Sequence, residues 1–91
     1  MIVSFRHKGL RELFDQDSAA GLRPDLAERC RARLAALNAA TRIDDLAVPG
    51  WRLHQLRGKP ARWALAVNGP WRITFAWDGQ DAALVDLEQY H

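Results

Sequence analysis

The stretch that decides the fold, residues 63–77, reads WALAVNGPWRITFAW. On both sides of Asn68-Gly69, large apolar side chains alternate with small or polar ones, which is the period of a β-strand with one buried face. Asn-Gly between two alternating runs is a strong signal for a tight β-hairpin. The stretch therefore predicts two antiparallel strands that carry their tryptophans on the face that packs against another layer.

The flanking residues extend this hairpin into a sheet. Residues 51–58 also alternate, so another strand is expected before the hairpin. After it, Asp78-Gly79 begins a second tight turn, and residues 82–87 are expected to form the final strand. Residues 2–5 are a short β-prone run that suits a sheet edge. The pattern predicts an antiparallel meander.

Two helical segments precede the meander. Apolar residues at i, i+3 and i+4, beginning with Leu10, predict a short amphipathic helix over about residues 8–15. Pro24 suits the first position of a second helix. The apolar stripe of that helix consists of Leu26, Cys30, Leu34 and Leu37. The expected class is therefore α+β, with two N-terminal helices packed on a small, mainly antiparallel sheet.

Length and composition indicate one globular domain over residues 1–91. The chain is 48% hydrophobic and 26% charged, close to the averages for folded domains. It contains no apolar run long enough for a membrane span and no signal-peptide pattern. The single cysteine, Cys30, cannot form an internal disulfide. We expect a cytoplasmic protein with no membrane partner.

Positive charge is concentrated in the region of the predicted sheet. Residues 51–77 contain five basic side chains and no acidic one, although the net charge of the whole chain is only +2. The five are Arg52, Arg57, Lys59, Arg62 and Arg72. Such a block can neutralise phosphates, but basic side chains also protect a solvated sheet edge from aggregation. Charge alone leaves both interpretations open.

Most familiar catalytic patterns are absent from this sequence. There is no glycine-rich phosphate loop, and the three histidines lack a metal-binding spacing, so neither a metal nor a cofactor is expected. Cys30 lies on the apolar stripe and is expected in the core. The remaining chemical groups are those of His54, Arg57, Lys59, Arg72, Tyr90 and His91.

This set of side chains suits RNA cleavage by the 2′-hydroxyl. The reaction needs a base, an acid and cations, which histidine and arginine supply near neutral pH. Structural roles for the same residues stay open at this point. A lone strand histidine such as His54 is commonly structural, and chain ends such as the one at His91 commonly fray.

Four segments, in their order along the chain, resemble the HigB branch of the RelE toxin superfamily. They are SFRHKGL at 4–10, PGWRLHQLRG at 49–58, the hairpin containing VNG and WRITF at 63–75, and EQYH at 88–91. The resemblance covers nearly the whole chain and implies a RelE-like microbial RNase fold.

The resemblance also implies a function and partners. HigB-type proteins are toxins of type II toxin–antitoxin systems that act as ribosome-dependent, metal-independent endoribonucleases, cleaving mRNA in the A site to inhibit translation. A HigA-like helix-turn-helix antitoxin neutralises them, and operator DNA is bound only through the antitoxin complex. These features are expected here.

By position, His54, Tyr90 and His91 match catalytic residues of the family, and Arg72 matches the arginine of its Trp-Arg-Ile-Thr-Phe block. The resemblance implies that His54 and His91 are the acid/base pair, in either assignment. Arg72 is expected to stabilise the phosphorane, and Tyr90 to stack on or orient the nucleotide. RNA-binding roles are expected for Arg52, Arg57, Lys59 and Arg62.

One position departs from the family pattern. Gln89 stands where aspartate is common, and an amide cannot carry charge or accept a proton as a carboxylate does. Glu88 is a candidate to substitute for it. Two alternatives remain: a ParE-like toxin that inhibits DNA gyrase by binding, and a catalytically inactive antitoxin-binding domain. His54 and the terminal Tyr90-His91 favour the ribonuclease, whereas Gln89 favours the inactive domain.

Overall fold

In a computed structural model, which describes residues 1–89, two α-helices precede a four-stranded sheet. The helices are α1 (Lys8–Gln16) and α2 (Pro24–Ala39), followed by a 3-10 helix at Ile43–Leu46. The strands are β1 (His54–Leu56), β2 (Arg62–Asn68), β3 (Trp71–Trp77) and β4 (Ala82–Gln89). Neighbouring strands pair antiparallel in the order β1-β2-β3-β4. The predicted α+β class, with helices packed on an antiparallel sheet, is confirmed.

Helix α1 is defined by specific groups at both ends. At its start, Nδ1 of His7 accepts a hydrogen bond from the backbone N–H of Leu10, with 3.1 Å between the nitrogens. At its end, Asp17 adopts a left-handed conformation with φ of 55°, and its N–H donates to the Glu12 carbonyl. The helix predicted over residues 8–15 is confirmed.

Helix α2 begins at Pro24, as predicted, and buries its apolar stripe. The four stripe residues, Leu26, Cys30, Leu34 and Leu37, are all at most 1% exposed. Burial raises the pKa of the Cys30 thiol to about 11, so Cys30 is a core residue, as expected. Among residues 1–89, neither helix has both the length and the hydropathy that a membrane crossing requires.

The sheet contributes the other half of the core through the apolar faces of the hairpin and of β4. Its buried side chains are Leu65, Val67, Ile73, Phe75, Val85 and Leu87. Partly buried Trp63, Trp71 and Trp77 pack against this cluster. The turn at Asn68-Gly69 is present, and Gly69 has a φ of 55° that glycine adopts without strain. The predicted hairpin is confirmed.

Strand β1 is shorter than expected. The alternation over residues 51–58 predicts a long strand, yet only His54–Leu56 pairs with β2. Two backbone features end it. Arg52 has a φ of 52°, outside the extended region, and Gly58 has a φ of 113° on the other side. Strand periodicity does not reveal such interruptions.

The amino-terminal run lies along the outer edge of β4. Ile2 and Phe5 form isolated parallel bridges to Ala82 and Val85. The prediction that residues 2–5 occupy a sheet edge is therefore confirmed, although two bridges replace a continuous strand.

Candidate active site

A cavity of about 560 Å³ opens between the segment that leads into β1 and the β2–β3 turn. Its lining residues are Arg52, Leu53, His54, Ala66, Gly69, Pro70, Trp71 and Arg72. The volume falls within the range of about 300–1,000 Å³ that is typical of small-ligand sites. The fold thus brings together three predicted site residues: Arg52, His54 and Arg72.

His54 is the exposed first residue of β1, and its ring is oriented by its own backbone. Its Nδ1 lies 2.9 Å from the carbonyl oxygen of Arg52. Because a carbonyl oxygen only accepts, this contact places a hydrogen on Nδ1 and leaves the lone pair of the neutral ring on Nε2. His54 therefore presents Nε2 as the atom that can accept a proton or, once protonated, donate one.

Arg72 lies on the face of the sheet that points away from the helices. In the register of the sheet it stands between Ala66 of β2 and Glu88 of β4. Its neighbours Trp71 and Ile73 face the helices, as alternation requires. Arg72 therefore places a cation at the cavity wall on the same face as His54, whose partner Ala64 also points away from the helices.

Next to Arg72, an ion pair ties β2 to β4. Nη1 of Arg62 lies 2.8 Å from the Glu88 carboxylate and 3.4 Å from Thr74 Oγ1, and the Thr74 hydroxyl also donates to Glu88. Burial raises the pKa of Glu88, but hydrogen bonds from Thr74 and Arg62, with the charges of Arg62 and Arg72, outweigh it and lower that pKa overall. Glu88 is thus a carboxylate at neutral pH.

The same ion pair changes the surface that the sequence suggests. Small side chains beside Arg72 predict a shallow hollow over Ala64, Ala66 and Thr74. Ala64 and Thr74 are instead fully buried, and the polar atoms of Arg62 and Glu88 meet on the Thr74 hydroxyl. Only Ala66 of these three lines the cavity.

Two further predicted RNA-binding residues lie outside the cavity lining. Arg57 and Lys59 are exposed in the loop between β1 and β2, on either side of Gly58. They extend the positive surface beyond the cavity. Tyr90 and His91, both predicted to be catalytic, lie outside the described residues.

Gln89 and Glu88 occupy opposite faces of β4. Gln89 stands opposite Trp71 in the register, whereas Glu88 stands opposite Arg72. Successive strand residues point to opposite faces, so the carboxylate beside Arg72 belongs to position 88.

Side chains that can bind a metal ion are dispersed. Across residues 1–89, no three His, Cys, Asp or Glu side chains are grouped as metal ligands. The ionisable groups in the cavity lining are one histidine and two arginines, so its charge suits an anionic ligand.

The apolar wall of this cavity is formed by Leu53, Pro70 and Trp71, and the sequence pattern did not predict it. Trp71 looked like a core residue because of its place in the alternation, and its ring does pack partly against the core. The signal for its second role is its position directly after the hairpin turn, where a strand residue meets solvent.

Comparison with known proteins agrees with the resemblance drawn from the sequence segments. A family model for the HigB-like toxin, described as a RelE-like toxin of the type II toxin–antitoxin system HigB, matches residues 3–91. The chain is 38% identical over 92 residues to the endoribonuclease HigB of Proteus vulgaris, and the match covers 100% of both chains. This chain therefore belongs to the HigB-like family of RelE-like toxins from type II toxin–antitoxin systems.

Proposed function

We propose that this protein is an endoribonuclease toxin that cleaves mRNA in the ribosomal A site by using the 2′-hydroxyl. The observation that carries the proposal is that His54, with its Nδ1 bound to the Arg52 carbonyl, shares one cavity with Arg72. The relative from Proteus vulgaris is named an endoribonuclease, which supports the same activity here.

The proposed reaction needs two proton transfers and one site of charge stabilisation. A base removes the proton of the 2′-hydroxyl, the 2′ oxygen attacks the adjacent phosphorus, and the bond to the 5′ oxygen breaks. An acid protonates that oxygen, which leaves a 2′,3′-cyclic phosphate and a 5′-hydroxyl end. His54 performs one transfer through Nε2, and His91 performs the other. Arg72 neutralises the charge that grows on the phosphoryl oxygens.

The spacing within the sheet suits this division of roles. His54 and Arg72 lie two strands and two residues apart on one face. At about 4.8 Å between strands and about 3.4 Å per residue, their Cα atoms are on the order of 12 Å apart. Both side chains leave the same face of the sheet, so an imidazole and a guanidinium at this separation can contact one phosphodiester group from two sides.

Exposed cations around the cavity hold the RNA backbone in this proposal. Arg52 lines the cavity. Arg57 and Lys59 contact phosphates farther along the RNA. Arg62, already ion-paired, adds to the positive field of the sheet. Tyr90 stacks on or orients the nucleotide. Such contacts position RNA without reading its sequence.

The ribosome supplies the positioning that this open site lacks. Holding the 2′ oxygen in line with the scissile bond contributes up to several kcal/mol, so three or four catalytic groups suffice without a metal. The family implies an antitoxin partner. We propose a HigA-like helix-turn-helix protein in that role, operator DNA bound only through the complex, and action in the cytoplasm.

The test is mRNA cleavage on programmed ribosomes by the wild type, His54→Ala, a deletion of His91, and the double variant. Each single change should reduce the rate by ~10²–10⁴-fold, as expected for loss of a general acid or base. The double variant should lose less than the product of the two, because both groups act in one step. His7→Asn is the matched control histidine and should cleave at the wild-type rate.

Other results identify the alternatives. Inhibition of DNA gyrase with intact mRNA would assign the protein to the ParE type. Antitoxin binding with neither activity would identify an inactive domain. A His91 deletion that cleaves at the wild-type rate would remove the acid/base pair from the proposal.

A further inference from the structure

Arg33 on α2 is a buried cation. Only 6% of it is exposed, and it is the one buried charged residue within residues 1–89. None of the ion pairs among these residues gives it a carboxylate partner. Burial lowers its pKa. A buried charge costs folding free energy unless its donors are satisfied, so its contacts indicate its role.

The contacts of Arg33 join α2 to the back of the cavity. Its Nε donates to the carbonyl oxygen of Ala66 at 2.7 Å, and its Nη1 donates to that of Arg29 at 3.0 Å. Its guanidinium carbon lies 4.8 Å from the centroid of the Trp51 ring, within the range of a cation–π contact. Ala66 lines the cavity, and Trp51 is three residues before His54.

The hydrogen bond to Ala66 replaces one that β1 would otherwise make. Because His54 pairs with Ala64, a regular ladder would place Arg52 opposite Ala66 and exchange two backbone hydrogen bonds there. Instead, the Ala66 N–H donates to the Trp51 carbonyl at 2.7 Å, and Arg33 donates to the Ala66 carbonyl. The side chain of Arg33 thus occupies the place of a backbone donor.

Because the Arg33 side chain takes the place of this backbone donor, the Arg52 carbonyl remains outside the strand ladder. Arg52 adopts its left-handed conformation, and its carbonyl oxygen meets His54 Nδ1. We propose that Arg33 is a positioning residue for His54. By binding the Ala66 carbonyl and stacking on Trp51, it holds residues 51–53 off the strand ladder, so that the Arg52 carbonyl fixes the His54 tautomer with Nε2 toward the substrate. The catalytic importance of this tautomer rests on the function proposed above.

The test compares two arginines of one helix. Arg33→Met keeps an unbranched side chain but removes the guanidinium and all its donors. Arg29→Met is the matched control. Arg29 Nη1 also donates to a carbonyl of β2, that of Val67, at 3.0 Å. Its side chain takes no part in the hydrogen bond to the Ala66 carbonyl or in the cation–π contact with Trp51.

The first measurement is the ring tautomer of each histidine, from long-range ¹H–¹⁵N NMR of the neutral rings, with His54 assigned by a His54→Gln variant. The wild type and Arg29→Met should show His54 with its hydrogen on Nδ1. Arg33→Met should move that population toward the form with the hydrogen on Nε2. His7, whose Nδ1 accepts from Leu10, should keep its hydrogen on Nε2 throughout and serves as the internal reference.

The second measurement is mRNA cleavage on ribosomes. Arg33→Met should lower kcat by up to about 10²-fold, the scale of a misplaced catalytic group, with KM little changed. Arg33→Lys should restore part of kcat, because its ammonium keeps the charge and can still donate to a backbone carbonyl. Arg29→Met should cleave at nearly the wild-type rate.

Each result has a definite meaning. The proposal is overturned if wild-type His54 carries its hydrogen on Nε2, or if Arg33→Met leaves the tautomer unchanged. A tautomer that depends on Arg33 in a protein that does not cleave RNA would support the positioning role and reject the proposed function. If circular dichroism shows that Arg33→Met does not fold, Trp51→Leu takes its place with the same expected tautomer change.

Discussion

The carboxylate of Glu88 lies 2.8 Å from Nη1 of Arg62, although β3 separates the strands that carry them. The Glu88 side chain is 30% exposed and that of Arg62 is 29% exposed. Solvent therefore screens this pair less than it screens the more exposed ion pairs. The contact ties the end of β4 to the start of β2. It lies two residues before Tyr90, the first residue of the predicted catalytic terminus.

Glu88→Gln should destabilise the protein in a pH-dependent way. The loss at neutral pH should be about 1 kcal/mol, or roughly 4–8 °C in Tm for a domain of this size. The pKa of Glu88 is lowered in the folded protein, so the stabilisation is complete above the unfolded value of about 4.3. It is lost as the pH falls through the lower folded value. Urea denaturation of both proteins from pH 7 down to pH 3 measures this.

The control for this prediction is Asp44→Asn. Asp44 pairs with Arg42 at 3.5 Å, but the two side chains are 75% and 72% exposed, so its loss should change Tm little. Equal effects of the two substitutions, or a Glu88→Gln deficit that does not shrink as the pH falls below about 4.3, would contradict the assignment of the stability to this ion pair.

Gln89→Asp should leave cleavage within about twofold of the wild type. Gln89 stands opposite Trp71, on the other face of the strand from Arg72, so a carboxylate there does not join the cluster of Arg62, Thr74 and Glu88. Cleavage on programmed ribosomes checks this. An increase of tenfold or more would show that a catalytic carboxylate is missing at position 89.

His7 should be structural, in contrast to His54. Its Nδ1 caps the N-terminus of α1, so His7→Ala should cost about 1 kcal/mol, and His7→Asn should restore most of the loss because asparagine is a good N-cap residue. Thermal unfolding measures both. Cleavage per folded molecule should stay at the wild-type level in each variant, and a drop of more than tenfold in His7→Asn would place His7 in the active site.

Gly9→Ala should invert the usual effect of this substitution. Alanine normally stabilises a helix interior by roughly 0.5–1 kcal/mol over glycine. Here a Cβ on Gly9 would lie 2.5 Å from the carbonyl oxygen of Gly21, so we expect a net loss of about 1–3 kcal/mol from overpacking. Chemical denaturation tests this, with Lys8→Ala as the control in the same turn. A Gly9→Ala protein as stable as the wild type would show that the loop of Gly21 can move aside.

Local periodicity was sufficient for most of the fold. The hairpin over residues 63–77 and the apolar stripe of α2 depend on side chains only a few positions apart, and both were predicted correctly. The length of β1 was not, because it depends on the left-handed conformation of Arg52 and on a donor from α2. The bond from Arg33 to Ala66 joins residues 33 positions apart, and alternation over residues 51–58 contains no sign of it.

The candidate site was likewise predicted only in part from the sequence. The sequence identified His54, Arg52 and Arg72, which the fold brings to one cavity, but it assigned Arg62 to RNA without its partner Glu88, because that ion pair joins strands that are not adjacent. Arg33 was overlooked although its position carries a signal. It lies three residues after Cys30 and four before Leu37, on the buried stripe of the helix, where a charged side chain needs a specific partner.

The buried state of Cys30 has a practical consequence for studies of this toxin. It is the only cysteine in the sequence, it is fully buried, and its thiol stays protonated well above neutral pH because its pKa is about 11. Thiol-directed reagents should therefore not react with the native protein. A cysteine introduced at exposed Lys59 would then be the single labelling position, and a photocrosslinker attached there would report which ribosomal component lies beside the β1–β2 loop.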